Sequence, residues 1–413
     1  MDAIPGFYIE MKILKGRFAA MSPVLHALLD GGAVKQKTIN VDSFAEHHSI
    51  HNYEYYQIHS VKDKVKAADI CQKVEALDDV VFCSVVPDVK NLAAPAIEQK
   101  ENVVIRDVAE IPTPDFTSQQ NYLAAPKGMN ILPLWEKGYA GQAVNIRHLD
   151  FGIYHNHEDF QSGNIIVVAS RDESEDCNHG TASTGCIAAS ANGFGVTGIA
   201  HSSLYYFYDT DYLDNIMEHA QPGEIVSLNI QTITDDGYLP IIAIKSWWDT
   251  IKNITEKGAI VIASAGNGGL DLSNTAICPD YGDCGAILVD ACNPDNGRRM
   301  WYSNYGHYTS MINSWGESVT TAGYSSLQDM PGHNRDYTDS FNGTSSATPL
   351  CCGALALLQS YARKQRLTIT PQAMRELIAQ SDYLEGLIDH IGRRPNVEQL
   401  TRIIDKAIQA SLA

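Results

Sequence analysis

Apolar runs of strand length alternate with helical stretches beyond residue 119, and this alternation restricts the possible folds more than any other feature. The runs are AVNIRHL, NIIVVAS, SLYYFY, EIVSLNI, AIVIASA and AILVDA. Such alternation is typical of a mostly parallel sheet covered by helices on both faces. The stretches PQAMRELIAQ and NVEQLTRIIDKAIQASL have helical spacing. We therefore predict an α/β domain over residues 119–413, with C-terminal helices packed on it.

Residues 1–90 show a different order of elements. FYIEMKIL, YEYYQIHSV and VVFCSVV read as strands, a fourth strand is expected near residues 34–41, and AMSPVLHALL and KVKAADICQKVEAL have helical spacing. The resulting β-α-β-β-α-β order predicts a smaller ferredoxin-like α+β domain. Residues 91–118 are irregular and rich in Ala, Pro and charge, so they are predicted to form an exposed linker.

Charge and hydropathy exclude several classes of function. The formal net charge of −19 argues against binding nucleic acid, because the overall field repels polyanions. No apolar run approaches the ~18 residues of a membrane span. GxGxxG is absent, so a dinucleotide site has little support. The N-terminal residues lack the basic-then-apolar layout of a signal peptide, which leaves the compartment open.

The nine cysteines are spread along the chain without CxxC spacing. This pattern argues against a zinc site and against a full disulfide framework. Cys278 and Cys284 bracket a predicted loop and could pair in an oxidising compartment. The other seven are interpreted as isolated buried thiols.

Four segments carry the groups that acyl transfer needs: a nucleophile, a base, an orienting carboxylate and a donor to the oxyanion. Asp150 ends the strand AVNIRHLD, where α/β proteins place their sites. His179 begins a helix in CNHGTASTG, and Ser345 begins another in NGTSSATP. Asn267 follows the strand AIVIASAG and lies next to glycines. Its amide and the Ser345 backbone N–H are candidate oxyanion donors.

Each of these residues has a plain structural explanation when taken alone. Asp150 could cap a turn, His179 is one of 14 histidines, Ser345 could be an ordinary helix N-cap, and Asn267 could be a turn residue. Their order along the chain is more informative. Asp, His, Ser is the order of the subtilisin class, whereas α/β-hydrolases run Ser, Asp, His. The missing GxSxG elbow also argues against an esterase or lipase.

Residues 119 to about 360 resemble the subtilase family. DFGI with HEDF is similar to the family's Asp segment, NHGT to its His segment, SAGNGG to its oxyanion segment and NGTSSATP to its Ser segment; SNYG and GVTGIA also match. The resemblance implies a subtilisin-like three-layer fold and a serine endopeptidase. It implies Asp150, His179 and Ser345 as catalytic triad, with Asn267 in the oxyanion hole. It also points to secretion.

The resemblance further implies a substrate-binding cleft. One wall is expected at Ser227, Leu228 and Asn229, which would pair with the substrate backbone as an added strand. Asn229 stands where the family usually has glycine, so we expect it to narrow the adjoining S1 pocket. The opposite wall is expected at Ser264, Ala265 and Gly266. A peptide or protein is the substrate that such a cleft implies.

A structural calcium ion is a second implication of the resemblance. Asp159 follows Asp150 at the family's spacing, and SANGFGV resembles the family's calcium loop. Oxygen ligands of this kind suit Ca²⁺. The expected ligands are side-chain oxygens of Gln120, Asp159 and Asn192 and the carbonyls of Ser190, Phe194 and Val196. A metal-free Asx–Gly turn is the alternative.

Residues 1–90 resemble the family's propeptide, especially at DDVVFCSVVPDV. This implies a zymogen in which the N-terminal domain assists folding and inhibits the enzyme with its tail. A folding template suits a parallel sheet, which is slow to fold. Cleavage is expected between Leu92 and Gln119. A domain that is never removed is the alternative.

The predicted function is that of a subtilisin-like serine endopeptidase. A peptidase that processes or cyclises one precursor and a catalytically silent subtilase fold used for binding are the alternatives. Two departures from the family pattern lie beside the triad, because Arg147 and His148 occupy a strand that is normally apolar. We expect these residues to perturb the pKa of the Asp150–His179 pair.

Overall fold

The N-terminal part folds as an antiparallel sheet with two helices. The computed structural model describes residues 6–29, 32–39, 52–87, 92–94, 112–306 and 311–412. The N-terminal elements are β1 (Phe7–Leu14), α1 (Phe18–Leu28), β2 (Lys35–Lys37), β3 (Tyr53–Ile58), α2 (Lys64–Glu75) and β4 (Val80–Pro87). The strand order is β2-β3-β1-β4, with antiparallel pairs throughout. This topology confirms the predicted ferredoxin-like α+β fold.

The remaining elements form a larger α/β unit. They are β5 (Leu92–Ala93), α3 (Leu132–Glu136), β6 (Asn145–Asp150), β7 (Ile165–Val167), α4 (Asn178–Ala188), β8 (Leu204–Asp209), α5 (Leu213–His219), β9 (Ile225–Leu228), β10 (Gln231–Thr234), β11 (Gly237–Pro240), α6 (Lys245–Glu256), β12 (Ile260–Ser264), β13 (Ile287–Cys292), β14 (Met311–Trp315), β15 (Val319–Ala322), β16 (Tyr337–Phe341), α7 (Thr344–Lys364), α8 (Pro371–Ile378) and α9 (Val397–Leu412). Short 3₁₀ turns lie at 117–119, 121–123, 158–160, 241–243 and 385–389.

A seven-stranded parallel sheet is the framework of this unit. Its order is β14-β13-β12-β9-β6-β8-β7. The side chains of one face join a core with α4 and α7, and those of the other face join a core with α5 and α6. The predicted three-layer α/β fold is therefore confirmed. The strand β14 was not predicted, because Asn313 and Ser314 interrupt its apolar character.

The N-terminal sheet packs against α5 and α6. Period-two alternation in β1 turns Ile9, Met11 and Ile13 towards α1 and α2, where they form a separate core. Tyr55 and Phe82 lie on the opposite face, in one core with residues of α5 and α6.

One buried ion pair joins the two units. Lys12 Nζ lies 2.8 Å from Asp249 Oδ1, and the Tyr55 hydroxyl donates to Asp249 Oδ2 at 2.9 Å. The sheet face that points away from α1 and α2 thus carries a charged contact as well as apolar ones.

The predicted linker is only partly as expected. Leu92 and Ala93 form β5, which pairs antiparallel with β10. Phe116 is buried in the core of the larger unit, and its backbone N–H donates to Gly195. Both ends of residues 91–118 are therefore attached to the larger unit, because each supplies an apolar side chain that packs there. Residues 95–111, where much of the expected cleavage range falls, lie outside the described residues.

The C-terminal helices pack on the larger unit as predicted. Met374 of α8 and Leu400 and Ile404 of α9 join the core that contains α7. No helix in the described part of the chain is both long and apolar enough to span a membrane.

Candidate active site

Asp150 ends β6 at the centre of the parallel sheet. The strand pairs with β8 on one side, up to Asp150, and with β9 on the other side, up to Leu149. Its side chain is completely buried. The carboxyl ends of parallel strands form the edge where α/β proteins collect their functional groups.

The imidazole of His179 lies between the Asp150 carboxylate and the Ser345 hydroxyl. His179 is in the first turn of α4, and its Nδ1 is hydrogen-bonded to Asp150 Oδ1. Its Nε2 lies 2.6 Å from Ser345 Oγ. Ser345 is in the first turn of α7, after Gly343, which has a φ of +87°. Glycine takes this conformation without strain, so the chain can turn at Gly343 and begin α7 at the next residue. The first N–H groups of a helix have no partner within the helix.

Two imidazoles act on the Asp150 carboxylate. Burial by itself raises the pKa of this carboxyl, but His179 and His148 outweigh burial and hold the pKa well below its ordinary value. The backbone N–H of Phe151 donates to Oδ1 at 2.6 Å, and His148 Nε2 lies 2.9 Å from Oδ2. The carboxylate is therefore ionised and held on both oxygens.

Asn267 lies beside the start of α7. Its Oδ1 accepts from the backbone N–H of Thr344 at 3.0 Å and from the Thr344 hydroxyl at 2.8 Å. The Ser264 hydroxyl lies 2.7 Å from the Thr344 hydroxyl. Asn267 is thus tied, through its oxygen, to the residue that precedes Ser345. Its role as an oxyanion donor remains a prediction.

Gln231 belongs to the site, although the sequence analysis did not select it. Its Oε1 accepts from the backbone N–H of Asn267 at 2.9 Å, and its Nε2 donates to the carbonyl of Ala94 at 3.2 Å. The segment Leu92–Ala94 is therefore held next to Asn267 through a single side chain. The only sequence signal was a polar residue directly after an apolar run, which is too common to be decisive.

The predicted wall at Ser227, Leu228 and Asn229 remains a prediction. Ser227 and Leu228 lie within β9, which pairs with β6 and β12. β5 pairs with the following strand, β10, at Gln231 and Thr232. The apolar run EIVSLNI indicated a strand but not where its exposed continuation begins.

The Asn229 side chain contacts the residues around Asp150 and Ser345, and its expected effect on a pocket remains a prediction. Its Nδ2 donates to Ser183 Oγ at 2.9 Å, to the Ser345 carbonyl at 3.0 Å and to Asp150 Oδ2 at 3.3 Å. On the other predicted wall, Ala265 is fully buried and its carbonyl accepts from Asn304 Nδ2 at 2.7 Å. Gly266 follows with a φ of +93°.

The residues predicted to bind calcium meet around one loop. The Asp159 carboxylate accepts from Asn192 Nδ2 at 2.9 Å and from the Val196 N–H at 2.8 Å. Gln120 Oε1 accepts from the Thr197 N–H at 2.9 Å. Ser190 donates to the carbonyl of Asp159 through its N–H and its hydroxyl, and Phe194 donates its N–H to Asn192 Oδ1. Burial raises the pKa of Asp159 to about 7.

This arrangement fits a calcium ion in the type of its donors but not in their present orientation. Amide, carboxylate and carbonyl oxygens are the ligands that Ca²⁺ takes. However, Asn192 presents its nitrogen to Asp159, and each of the three side-chain oxygens accepts an N–H. The amide of Asn192 would have to rotate to present its oxygen.

All nine cysteines are buried and carry free thiols, including Cys278 and Cys284. The pairing of these two residues in an oxidising compartment remains a prediction.

Comparison with known proteins identifies the family. The sequence model of the subtilase family, peptidase S8, matches residues 141–393. The chain belongs to the subtilase family of serine peptidases.

Among the subtilases, the chain is 27% identical over 277 residues to human proprotein convertase subtilisin/kexin type 4, covering 60% of this chain and 36% of that protein. It is 27% identical over 290 residues to subtilisin NAT of Bacillus subtilis subsp. natto, covering 65% of this chain and 71% of that protein. The chain spans about a third to a half of the length of the proprotein convertases that it matches.

Solved subtilase structures share the fold. Fervidolysin from Fervidobacterium pennivorans has a TM-score of 0.61 at 16% identity, covering 97% of this chain and 62% of that one. A protease of Pseudoalteromonas arctica has a TM-score of 0.51 at 18% identity, covering 69% of this chain and 98% of that one. The likeness to fervidolysin extends over both units of this chain.

Proposed function

We propose that this chain hydrolyses internal peptide bonds through an acyl-enzyme. Ser345 Oγ attacks the scissile carbonyl while His179 Nε2 takes its proton. His179 then gives this proton to the leaving amine. In the second half of the reaction, water attacks the acyl carbonyl while His179 Nε2 takes its proton, and this proton returns to Ser345 Oγ as the acyl group is released. Asp150 holds the imidazole by Nδ1–H, and the Asn267 amide and the Ser345 N–H stabilise the oxyanion.

One observation carries this proposal. His179 contacts Asp150 through Nδ1 and Ser345 through Nε2, at 2.6 Å from the seryl oxygen. A hydroxyl and a base within hydrogen-bond reach, with the base oriented by a third group, is the arrangement that activates a serine. The carboxylate keeps its charge, since two imidazoles hold its pKa down, and it can therefore stabilise the imidazolium formed during attack.

Labelling with a fluorophosphonate tests this function. We expect the wild-type chain to form a covalent adduct at Ser345 and Ser345→Ala to form none. Ser346→Ala is the matched control, because Ser346 is the next residue but donates its hydroxyl to the Trp315 carbonyl. Absence of an adduct on the folded wild-type chain, together with no cleavage of denatured protein substrates, would contradict the proposal.

We also propose that residues 92–94 occupy the substrate's place, so that the N-terminal unit inhibits the enzyme. Ala93 and Leu92 pair antiparallel with Gln231 and Thr232, as an extended peptide would when it is added to a free edge. The Lys12–Asp249 ion pair anchors the unit that carries this segment.

Intact-mass and N-terminal sequence measurements on ageing samples test the inhibitory role. We expect the wild-type chain to be cut between Leu92 and Gln119 and to gain activity, and Ser345→Ala to remain whole. Full activity of the uncut chain towards large substrates would instead indicate a permanent, non-inhibitory domain.

Calcium binding at the loop around Asp159 remains our prediction. Burial raises the pKa of the Asp159 carboxyl to about 7, and a divalent cation bound beside it would favour the ionised form. Gln120, Asp159 and Asn192 with the carbonyls of Ser190, Phe194 and Val196 would hold the ion, which would stabilise the loop. A rise in melting temperature with Ca²⁺ but not with Mg²⁺, reversed by a chelator, is the expected result.

Two other functions considered from the sequence have no supporting observation of their own. A processing or cyclising peptidase would use the same chemistry on one precursor, and profiling the cleavage products of a peptide library distinguishes it from a general endopeptidase. A silent binding module is disfavoured by the contact between His179 and Ser345.

A further inference from the structure

The Asp150 carboxylate has a second histidine on its other oxygen. His148 Nε2 lies 2.9 Å from Asp150 Oδ2, and neither side chain is exposed to solvent. The two residues are separated by one position in β6, and alternate residues of a strand point to the same face. This spacing places the imidazole beside the carboxylate without any distortion of the strand.

The surroundings of His148 determine which nitrogen carries the proton. His148 Nδ1 is buried and has no hydrogen-bond partner among the described residues. A buried N–H donor without an acceptor costs free energy, so the proton belongs on Nε2, where Asp150 accepts it. The His148 imidazole is therefore a donor to the carboxylate, in the same way as His179 is from the opposite side.

Few other groups near His148 can change charge. Phe207 of β8 and Ser227 of β9 are its register partners, and Tyr205 of β8 stacks on its ring at 5.8 Å. Burial raises the pKa of Tyr205 well above its ordinary value. It also raises the pKa of two nearby thiols, Cys186 of α4 and Cys352 of α7, to about 12.

Asn229 supplies a second, longer contact to the same oxygen. Its Nδ2 lies 3.3 Å from Asp150 Oδ2 and 3.0 Å from the carbonyl of Ser345. The distances rank His148 as the main partner of Oδ2. Without His148, this oxygen would keep only the longer contact, and the carboxyl group could rotate away from His179.

We infer that His148 is a positioning residue of the peptidase, which holds Asp150 Oδ2 so that Oδ1 stays aligned with His179. It does not contact the substrate. This inference rests on the proposed peptidase function.

Three variants of the full chain test the inference. His148→Leu removes the donor, and His148→Gln retains an amide donor at a similar distance from the backbone. Tyr205→Phe is the matched control, because it perturbs the same buried layer by removing a hydroxyl bonded to Thr184 and does not touch Asp150. The measurements are kcat and KM separately and the melting temperature.

We expect His148→Leu to lower kcat by about 10- to 100-fold with little change in KM, because misalignment of a catalytic group costs rate rather than substrate affinity. His148→Gln should recover most of kcat, and Tyr205→Phe should leave kcat unchanged.

An unchanged kcat in His148→Leu would overturn the inference, and so would losses in all three variants that follow only the melting temperature. If His148→Leu does not fold, His148→Asn replaces it, because its shorter amide does not reach Asp150. A wild-type chain without fluorophosphonate adduct or hydrolysis would count against the proposed function. If the wild-type chain is active and substitutions at position 148 leave kcat unchanged, only this inference is contradicted.

Discussion

Two buried carboxylates in this chain, Asp150 and Asp159, meet opposite electrostatic surroundings. Neither is exposed to solvent. Asp150 lies between the imidazoles of His148 and His179, and its pKa is lowered. Asp159 receives hydrogen bonds from Asn192, Val196 and the Tyr337 hydroxyl, and its pKa is raised to about 7.

Burial is the largest influence on both carboxyl groups and raises the pKa of each. The difference comes from the partners, because two imidazoles outweigh the desolvation of Asp150, whereas dipoles alone do not outweigh that of Asp159. A buried acid is therefore not a functional signal by itself. The number and charge of its donors decide whether it is kept ionised or takes up a proton.

Asparagine at position 150 should have the largest effect on activity. Asp150→Asn keeps the size of the side chain but removes the charge and the acceptor that fix His179, so kcat should fall by about four orders of magnitude. Steady-state hydrolysis of a peptide ester measures this loss. The same substitution at Asp159 is the control and should leave kcat within about twofold; comparable losses at both sites would remove the distinction between them.

Asparagine at position 159 should instead change the pH dependence of stability. The folded-state pKa of Asp159 lies above the ordinary carboxyl value. In metal-free protein, its contribution to the free energy of unfolding is therefore fully present below about pH 4 and is lost as the pH rises through about 7. The loss is on the order of 4 kcal/mol at most. Asp159→Asn mimics the protonated acid and should abolish it.

Denaturant unfolding from pH 5 to 8 in a chelator checks this result. Added Ca²⁺ should restore the free energy of unfolding of the wild-type chain at pH 8 and leave that of the variant unchanged. Parallel curves for the two proteins at every pH would show that Asp159 is not the titrating group.

Alanine at position 195 should strain the loop that surrounds Asp159. Gly195 has a φ of +60°, and a Cβ there would collide with the Asp159 carboxylate and the Tyr337 hydroxyl. We expect Gly195→Ala to lower the free energy of unfolding by about 2–4 kcal/mol. Gly193→Ala is the matched control, because Gly193 has a similar φ but open space around it, and it should cost only about 1–2 kcal/mol. Equal losses would mean that the backbone conformation, and not the contact with Asp159, explains the cost.

Removal of the Tyr337 hydroxyl should have the smallest effect. This hydroxyl donates to Glu158 at 3.0 Å and lowers the pKa of Asp159. Tyr337→Phe should therefore cost about 1 kcal/mol and move the pH-dependent loss of stability to slightly higher pH. Glu158 keeps its ion pair with Arg335, so it is not left unpaired. Melting curves over the same pH range reveal the shift, and a move to lower pH would be inconsistent with it.

The fold and the meeting of the triad could be predicted because they follow from periodicity and short motifs. Alternating apolar runs indicated the parallel sheet, and the glycines and small residues around His179 and Ser345 indicated helix starts. These three residues, selected for their motifs, do meet in the structure. Their catalytic roles remain predictions.

The contacts that depend on register could not be predicted. The run EIVSLNI showed a strand, but only the folded sheet shows that β9 ends at Leu228 and that β10 offers its edge to Leu92 and Ala93. Similarly, His148 was noticed as a polar residue in an apolar strand. Only the structure shows that its imidazole contacts Asp150 Oδ2.

The pairing of Leu92 and Ala93 with β10 has a consequence for how such an enzyme would be switched on. A tethered segment competes with substrate at an effective concentration that is on the order of millimolar for short linkers, whereas a released one is present only at the concentration of the protein. A single cut between this strand and the larger unit would thus lower the effective concentration of the segment by orders of magnitude without altering any contact. Activation would then depend on dilution, and a concentrated preparation would remain inhibited for longer than a dilute one.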